Sequence, residues 1–283
     1  MFVFKAAVVG AGTMGSEIAQ VIASAEFPVV LQDVEQELVD QGLANARSLW
    51  QGRVDAGKME ASELERKLAL ITGTTRYDAF GDVDLVIEAV PERIEVKQSV
   101  FSALDEVTPG HAVLCSTTSS LSITEIGEAT GRPDKVVGLH FVPPASVTRL
   151  VEVAEGDDTS PETAATASSF AQAIRKTPIR CAEAPGLVLE RILTASASEL
   201  WRLQEESAVS VKEIDEVLTD SKAASIGPFR RADLQGLDRV LQIVQLLEQS
   251  YGDRFYVHKQ LRELVAAGDL GAKTGRGFYE HGN

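Results

Sequence analysis

The chain has 283 residues, of which 44% are hydrophobic, with a formal net charge of −15 and a pI of about 4.8. That length allows one large domain or two smaller ones around an ordinary core, and so negative a field disfavours a nucleic-acid partner. No run approaches about 18 apolar residues, so no membrane span is expected, and the first residues read as a strand rather than a secretory leader.

Residues 5–10 form that first strand and run into a glycine-rich turn, AAVVGAGTMG, with Gly10, Gly12 and Gly15 in G-x-G-x-x-G spacing. An alanine-rich helix follows, then PVVLQD, a second strand at 28–33 that ends in Asp33. This βαβ opening suits a dinucleotide. Gly10 allows the tight turn, Gly12 lets the backbone approach a pyrophosphate, and Gly15 lets the helix pack on the sheet. The helix N-terminus, at Thr13 and Met14, offers unpaired N–H groups to the phosphates. Asp33 is placed to accept hydrogen bonds from the adenosine ribose, and its charge would repel a 2′-phosphate. NAD is therefore expected in preference to NADP.

Residues 35–70 read as mostly helical and charged, long enough for a helical arm or lid. DVDLVIEAV (82–90) is a buried strand, followed by a helix from about Glu95 to Leu104. AVLCSTTSS (112–120) is a strand that enters a hydroxyl-rich turn, and Ser122 to Ala129 can form a short helix. KVVGLHFV (135–142) and RLVEVAEG (149–156) are two more strands. A helix at 161–175 and a strand at 177–183 close a mostly parallel α/β sheet of Rossmann type. Strand signals then stop at Pro185–Gly186. Helices are expected over 187–206, Ser210–Thr219, Asp233–Ser250 and Tyr256–Ala267. The expected organisation is an α/β dinucleotide-binding domain over 1–183 and an all-helical C-terminal domain over 184–283. The helical part has more apolar face than it needs alone, so a homodimer interface is expected there.

His140 lies at the end of the 135–142 strand, and Glu152 lies in the next strand. Facing each other, they would form an acid–base pair, with the carboxylate fixing the imidazole tautomer. A core histidine beside an unrelated glutamate fits the same spacing. The hydroxyl run Ser116, Thr117, Thr118, Ser119 and Ser120 can donate to a substrate oxygen or cap the following helix. Glu88, Glu92 and Lys97 surround the end of the 82–90 strand, where they can meet a cofactor or simply cap and solvate a helix start. Cys115 and Cys181 form no C-x-x-C and sit beside apolar sequence, and the four histidines lack tight Cys/His spacing. Buried thiols, no metal site and a cytoplasmic location follow as expectations.

The segments VVGAGTMGSEIAQ, DLVIEAVPE, STTSSLSIT, VVGLHFVPP with LVEV, APGLVLER, IGPF, DLQGLD and KTGRGFYE together resemble the L-3-hydroxyacyl-CoA dehydrogenases over nearly the whole chain. The resemblance implies an NAD-binding domain followed by a helical domain that usually dimerises. It implies that His140 is the catalytic base and acid, that Glu152 is its partner, and that Ser119 bonds the substrate's 3-oxygen. Glu92 and Lys97 would lie by the cofactor. The implied substrate is a short-chain hydroxyacyl-CoA thioester of fatty-acid metabolism, with Arg53, Lys58 and Lys67 of the helical insertion as candidate phosphate contacts. Two departures bear on the substrate. Pro143 replaces the asparagine of the usual HFFNP, and Glu190 replaces the asparagine of the usual PGFIVNR. Arg230 and Arg231 occupy a stretch that is normally acidic and then apolar. Glu190 is expected to point toward the His140 region and either to be protonated or to pair with an arginine such as Arg191, Arg230 or Arg231. The alternatives are the same chemistry on a carrier-bound or free small hydroxy acid, and a non-catalytic NAD-binding relative.

Overall fold

The computed structural model describes residues 2–207 and 209–282. The chain divides into two compact units, Met1–Ala184 and Pro185–Asn283.

The first unit is built on one eight-stranded sheet. Its strands are β1 (Ala6–Val9), β2 (Val29–Gln32), β3 (Ile71–Thr74), β4 (Leu85–Glu88), β5 (Val113–Ser116), β6 (Val136–Phe141), β7 (Leu150–Glu155) and β8 (Thr177–Ala182). They lie in the order β3-β2-β1-β4-β5-β6-β7-β8. All neighbours are parallel except β6 and β7, which run antiparallel. From β1 the chain moves outward to β2 and β3, then returns to the other side of β1 for β4. Open α/β sheets bind ligands at such a reversal, outside the carboxyl ends of the strands. The central strands read AAVV, LVIE and VLCS and are buried along their whole length, as strands covered on both faces must be.

The helices of this unit are α1 (Thr13–Ser24), α2 (Gln36–Asp55), α3 (Ala61–Leu68), α4 (Ile94–Val107), α5 (Ile123–Gly127) and α6 (Pro161–Ala173). The 35–70 insertion is not a detached lid. Val39, Ala46 and Trp50 of α2 and Leu64 of α3 are buried, and Trp50 donates its indole N–H to Ser24 Oγ at 2.9 Å. The insertion then returns into β3, an edge strand that the sequence reading missed. Its residues ITGT carry a glycine and are half-exposed, so neither alternation nor an apolar run marks them.

The second unit contains α7 (Leu189–Ser207), α8 (Val211–Asp220), α9 (Pro228–Gln235), α10 (Leu237–Tyr251) and α11 (Lys259–Ala267) around Trp201, Phe229, Leu237, Leu247 and Leu261. The single helix expected over Asp233–Ser250 is two. Gly236 at φ +93° ends α9 and starts α10, a conformation that an L side chain would resist. Helix α9 begins with Pro228 at its first position, and Asp215 caps it. Asp215 accepts from Phe229 N at 3.1 Å, from Arg230 N at 2.9 Å and from the Tyr279 hydroxyl at 2.8 Å. The fully buried Asp233 accepts from Phe278 N and Tyr279 N at 2.9 Å and meets His281 Nε2 at 2.8 Å. The DLQGLD and KTGRGFYE segments are thus two halves of one clasp.

Candidate active site

His140 and Glu152 are paired partners across the β6–β7 ladder. Residues directly opposite on neighbouring strands share a face, so the imidazole meets the carboxylate, with His140 Nδ1 2.8 Å from Glu152 Oε2. His140 is 4% exposed and Glu152 is 0% exposed, so the pair is shielded from competing water. An ionised carboxylate only accepts. The network therefore assigns the proton of the neutral ring to Nδ1 and leaves the Nε2 lone pair free. Charge appearing on that ring would be balanced at once by Glu152.

The glycine turn between β1 and α1 has the shape a pyrophosphate needs. Gly10 sits at φ +98°, and a Cβ there would fall 2.6 Å from Ala89 O. A Cβ on Gly15 would fall 1.8 Å from Gly10 O, so these two glycines are required by the chain itself. Gly12 differs: a Cβ on it would meet no atom of the chain within 4 Å. What its missing side chain makes room for lies outside the protein. At the start of α1 the amides of Thr13, Met14 and Gly15 have no carbonyl one turn earlier to bond. Asp33 Oδ2 accepts from Ala11 N and Oδ1 from Val34 N, each at 2.7 Å, and the carboxylate keeps further lone pairs for ribose hydroxyls. These residues fit NAD.

A buried ionic network joins the ends of β4 and β5. Glu88 and Lys97 are both fully buried, with Lys97 Nζ at 2.8 and 2.9 Å from the two carboxylate oxygens. Ser116 Oγ donates to Glu88 Oε2 at 2.7 Å, and Val90 N to Oε1 at 2.7 Å. Lys97 Nζ also lies 3.2 Å from Glu92 Oε2, while Thr118 and Ser120 donate their hydroxyls to Glu92 Oε1. Burial pushes the Glu92 carboxyl up, but Lys97 and the two hydroxyls outweigh it and hold the carboxyl below its ordinary value. Lys97 was expected beside the cofactor, where it would offset phosphate charge. It is instead sealed inside as the counter-ion of Glu88 and Glu92. The sequence reading weighed Glu88 as a strand-end acid and missed its place as the hub.

The hydroxyl run divides by role. Ser116, Thr118 and Ser120 serve the network, and the cap of α5 is Ser122, which accepts from Glu125 N at 3.1 Å. Ser119 is half-buried and makes no side-chain hydrogen bond to another described residue. The capping explanation of Ser119 therefore falls away.

Other expected residues are dispersed. Lys67 is no phosphate contact: it is buried, with Nζ 2.6 Å from Glu26 Oε1 and 2.9 Å from Ser24 O. Arg53 and Lys58 are exposed. Arg53 lines a cavity of about 640 Å³ with Arg149, Arg175 and Lys176. Burial pushes the Lys176 ammonium down in spite of Glu17, and its Nζ is spent on Ala145 O and Thr148 O. Pro143 is exposed in the loop between β6 and β7, which also holds Ala145, Thr148 and Arg149. Cys115 is buried and its thiol is pushed far up by that burial, whereas Cys181 is only partly buried, against the expectation of two buried thiols, and is pushed up to about 11. Among the described residues no cluster of His, Cys, Asp or Glu is arranged to hold a metal, and no helix is long and apolar enough to cross a membrane.

In the helical unit, Glu190 is 8% exposed on α7 and lines a cavity that Arg231 also lines. Among the described residues no ion pair joins it to Arg191, Arg230 or Arg231; Arg191 stacks on Tyr251 at 4.7 Å. Arg230 lines a different cavity, with Asp215, Glu216 and Tyr279.

A reversing parallel sheet, a glycine cradle with an acid after β2, and a buried imidazole–carboxylate pair at the end of β6 define a nicotinamide-dependent dehydrogenase. The comparisons agree. Residues 5–184 match the model of the 3-hydroxyacyl-CoA dehydrogenase NAD-binding domain, and residues 186–281 match that of the C-terminal domain. The chain is 39% identical over 278 residues to a 3-hydroxybutyryl-CoA dehydrogenase of Clostridioides difficile, covering 98% of this chain and 99% of the relative. It is 37% identical over 276 residues to the 3-hydroxyadipyl-CoA dehydrogenase of Escherichia coli K12, covering 97% of this chain and 58% of that longer protein. The crystal structure of the (S)-3-hydroxybutyryl-CoA dehydrogenase of Ralstonia eutropha superposes with a TM-score of 0.95 at 35% identity, covering 100% of both chains. This chain belongs to the 3-hydroxyacyl-CoA dehydrogenase family.

Proposed function

We propose that this chain interconverts L-3-hydroxyacyl-CoA and 3-ketoacyl-CoA thioesters of short chain length. The buried His140–Glu152 pair, set in an NAD-binding fold, carries this reading. NAD supplies the hydride acceptor, held by Gly10, Gly12, Thr13, Met14, Gly15 and Asp33, with Glu92 nearby. In the oxidation direction His140 Nε2 takes the proton from the substrate's O3, and Glu152 stabilises the imidazolium that forms. Ser119 donates its free hydroxyl to O3, where negative charge develops. Ketone reduction runs the same steps backward, with His140 returning the proton.

A CoA carrier, rather than a free hydroxy acid, is favoured by the cavity that Arg53, Arg149 and Arg175 line. None of the three makes an ion pair with an acid among the described residues, in a chain of net charge −15. Unpaired guanidiniums around one hollow suit phosphate groups, which they bind in bidentate fashion. The helical unit would also carry the homodimer contact, since Ile192, Leu203, Val217 and Leu234 stand exposed on it.

NADH consumption with acetoacetyl-CoA, with its N-acetylcysteamine thioester and with free acetoacetate tests the reading. The expected order of kcat/KM is CoA thioester, then truncated thioester, then acid. Equal efficiency on the free acid would transfer the assignment to small hydroxy acids.

A further inference from the structure

The turn that carries Ser119 is held by two carboxylates, one on each side of it in sequence. Glu92 accepts the hydroxyls of Thr118 and Ser120. Glu183 accepts the Ser122 hydroxyl at 3.2 Å, the Ile123 amide, the Thr124 amide at 3.0 Å and the Thr124 hydroxyl at 2.6 Å. Neither acid takes the hydroxyl of Ser119, which lies between these two sets of bonds.

Glu183 does more than complete a helix start. Ser122 already caps α5 from within, and a local cap fixes the shape of a turn without fixing its place on the sheet. A helix of 5 residues has too few internal bonds to hold itself. Glu183 lies 60 residues from Ile123 in sequence and directly follows β8. Its own N–H donates to Glu155 O at 2.9 Å, at the end of β7. Strand β7 also sets Glu152 opposite His140. The Ser119 turn and the imidazole–carboxylate pair are therefore both referred to one strand.

We propose that Glu183 is a positioning residue for the reaction: its carboxylate fixes the Ser119 turn against β7, so that the Ser119 hydroxyl is held ready for the substrate's O3. The inference rests on the dehydrogenase reading and on the role given there to Ser119. A donor fixed in advance stabilises developing charge without having to reorganise. Glu183→Gln keeps the shape of the side chain, but its amide nitrogen presents hydrogens where an oxygen accepted them. At least one donor of the α5 start then loses its acceptor, and the turn shifts.

A double-mutant cycle between Glu183→Gln and Ser119→Ala tests this, read as kcat for acetoacetyl-CoA reduction, with KM for NADH and the melting temperature measured alongside. Where Ser119 is present, Glu183→Gln should lower kcat by about 5- to 30-fold, a part of the roughly 10²- to 10³-fold lost with a whole oxyanion donor. In the Ser119→Ala chain the same substitution should change kcat by less than about 2-fold. KM for NADH should stay native in both. Thr124→Val withdraws one donor from Glu183 at nearly constant volume. It should show a smaller loss with the same dependence on Ser119, and it decides the question if Glu183→Gln does not fold. Equal losses in the two backgrounds, or a lowered melting temperature with native kcat, would make Glu183 a stabilising residue only and overturn the proposal. If Ser119→Ala itself keeps native kcat, the role of Ser119 fails and the proposal falls with it. If Ser119→Ala loses activity while Glu183→Gln acts alike with and without Ser119, the proposal fails alone.

Discussion

Replacing Glu152 by glutamine keeps the length and shape of the side chain and removes its charge. The amide oxygen can still accept from His140 Nδ1 at the native separation of 2.8 Å, so the ring stays near its orientation. What is lost is the charge-assisted part of a hydrogen bond between two buried groups. Bonds of that kind contribute about 1.5–3 kcal/mol, roughly 1 kcal/mol more than neutral ones. The full value applies only if the imidazole becomes cationic in the transition state, because only then does the carboxylate bind that state more tightly than the ground state. E152Q should therefore lower kcat by about 5- to 10-fold with acetoacetyl-CoA and NADH, while the KM for NADH changes little. Stopped-flow single turnovers would separate the chemical step from product release. A variant with native kcat and a lowered melting temperature would show that Glu152 is a packing residue and that His140 works without it.

Asp33→Ser should weaken NAD by about 10- to 100-fold and relax discrimination against NADP. Part of that loss would be loosening of the glycine turn, since Asp33 also holds Ala11 N; a native chain that uses both cofactors equally would refute the role. Ser119→Ala should reduce kcat/KM while the melting temperature and NAD affinity hold, because Ser122 rather than Ser119 caps α5. Burial holds the His258 imidazole below its ordinary value in spite of Glu205, so the unfolded chain binds the proton more readily than the folded one. Stability should thus be fully present above about pH 6.5 and fall as the pH drops below it. A melting temperature that is flat across that interval, in buffers of matched ionic strength, would contradict this.

The facing of His140 and Glu152 was legible because β6 and β7 are consecutive and short, so the connection between them leaves few registers that bring both residues onto one face. The cradle was legible because each glycine answers a separate local demand. What stayed hidden depends on contacts distant in sequence. Lys67 resembles any helix-surface lysine until Glu26, forty-one residues away, is folded against it. Lys97 resembles a cofactor contact until Glu88, Glu92 and the Val90 carbonyl close around it. Strand β3 is short and carries a glycine, and it takes its place from pairing with β2 rather than from its own residues. Two misses did carry a signal. Pro228 marks the start of α9, and Gly236 marks the break before α10. The spacing of Asp233 from the C-terminal glycines gives no local hint that one carboxylate clasps the last turn.

The central claim is that His140 moves the substrate proton in an NAD-dependent reaction on a 3-ketoacyl thioester. NADH consumption with acetoacetyl-CoA, measured for the native chain and for His140→Ala at saturating NADH, tests it most directly. The account predicts turnover by the native chain and a loss of about 10²- to 10⁴-fold in kcat for the variant, with NADH still bound. Near-native turnover by the variant, or no turnover by a native chain that binds NADH, would contradict it.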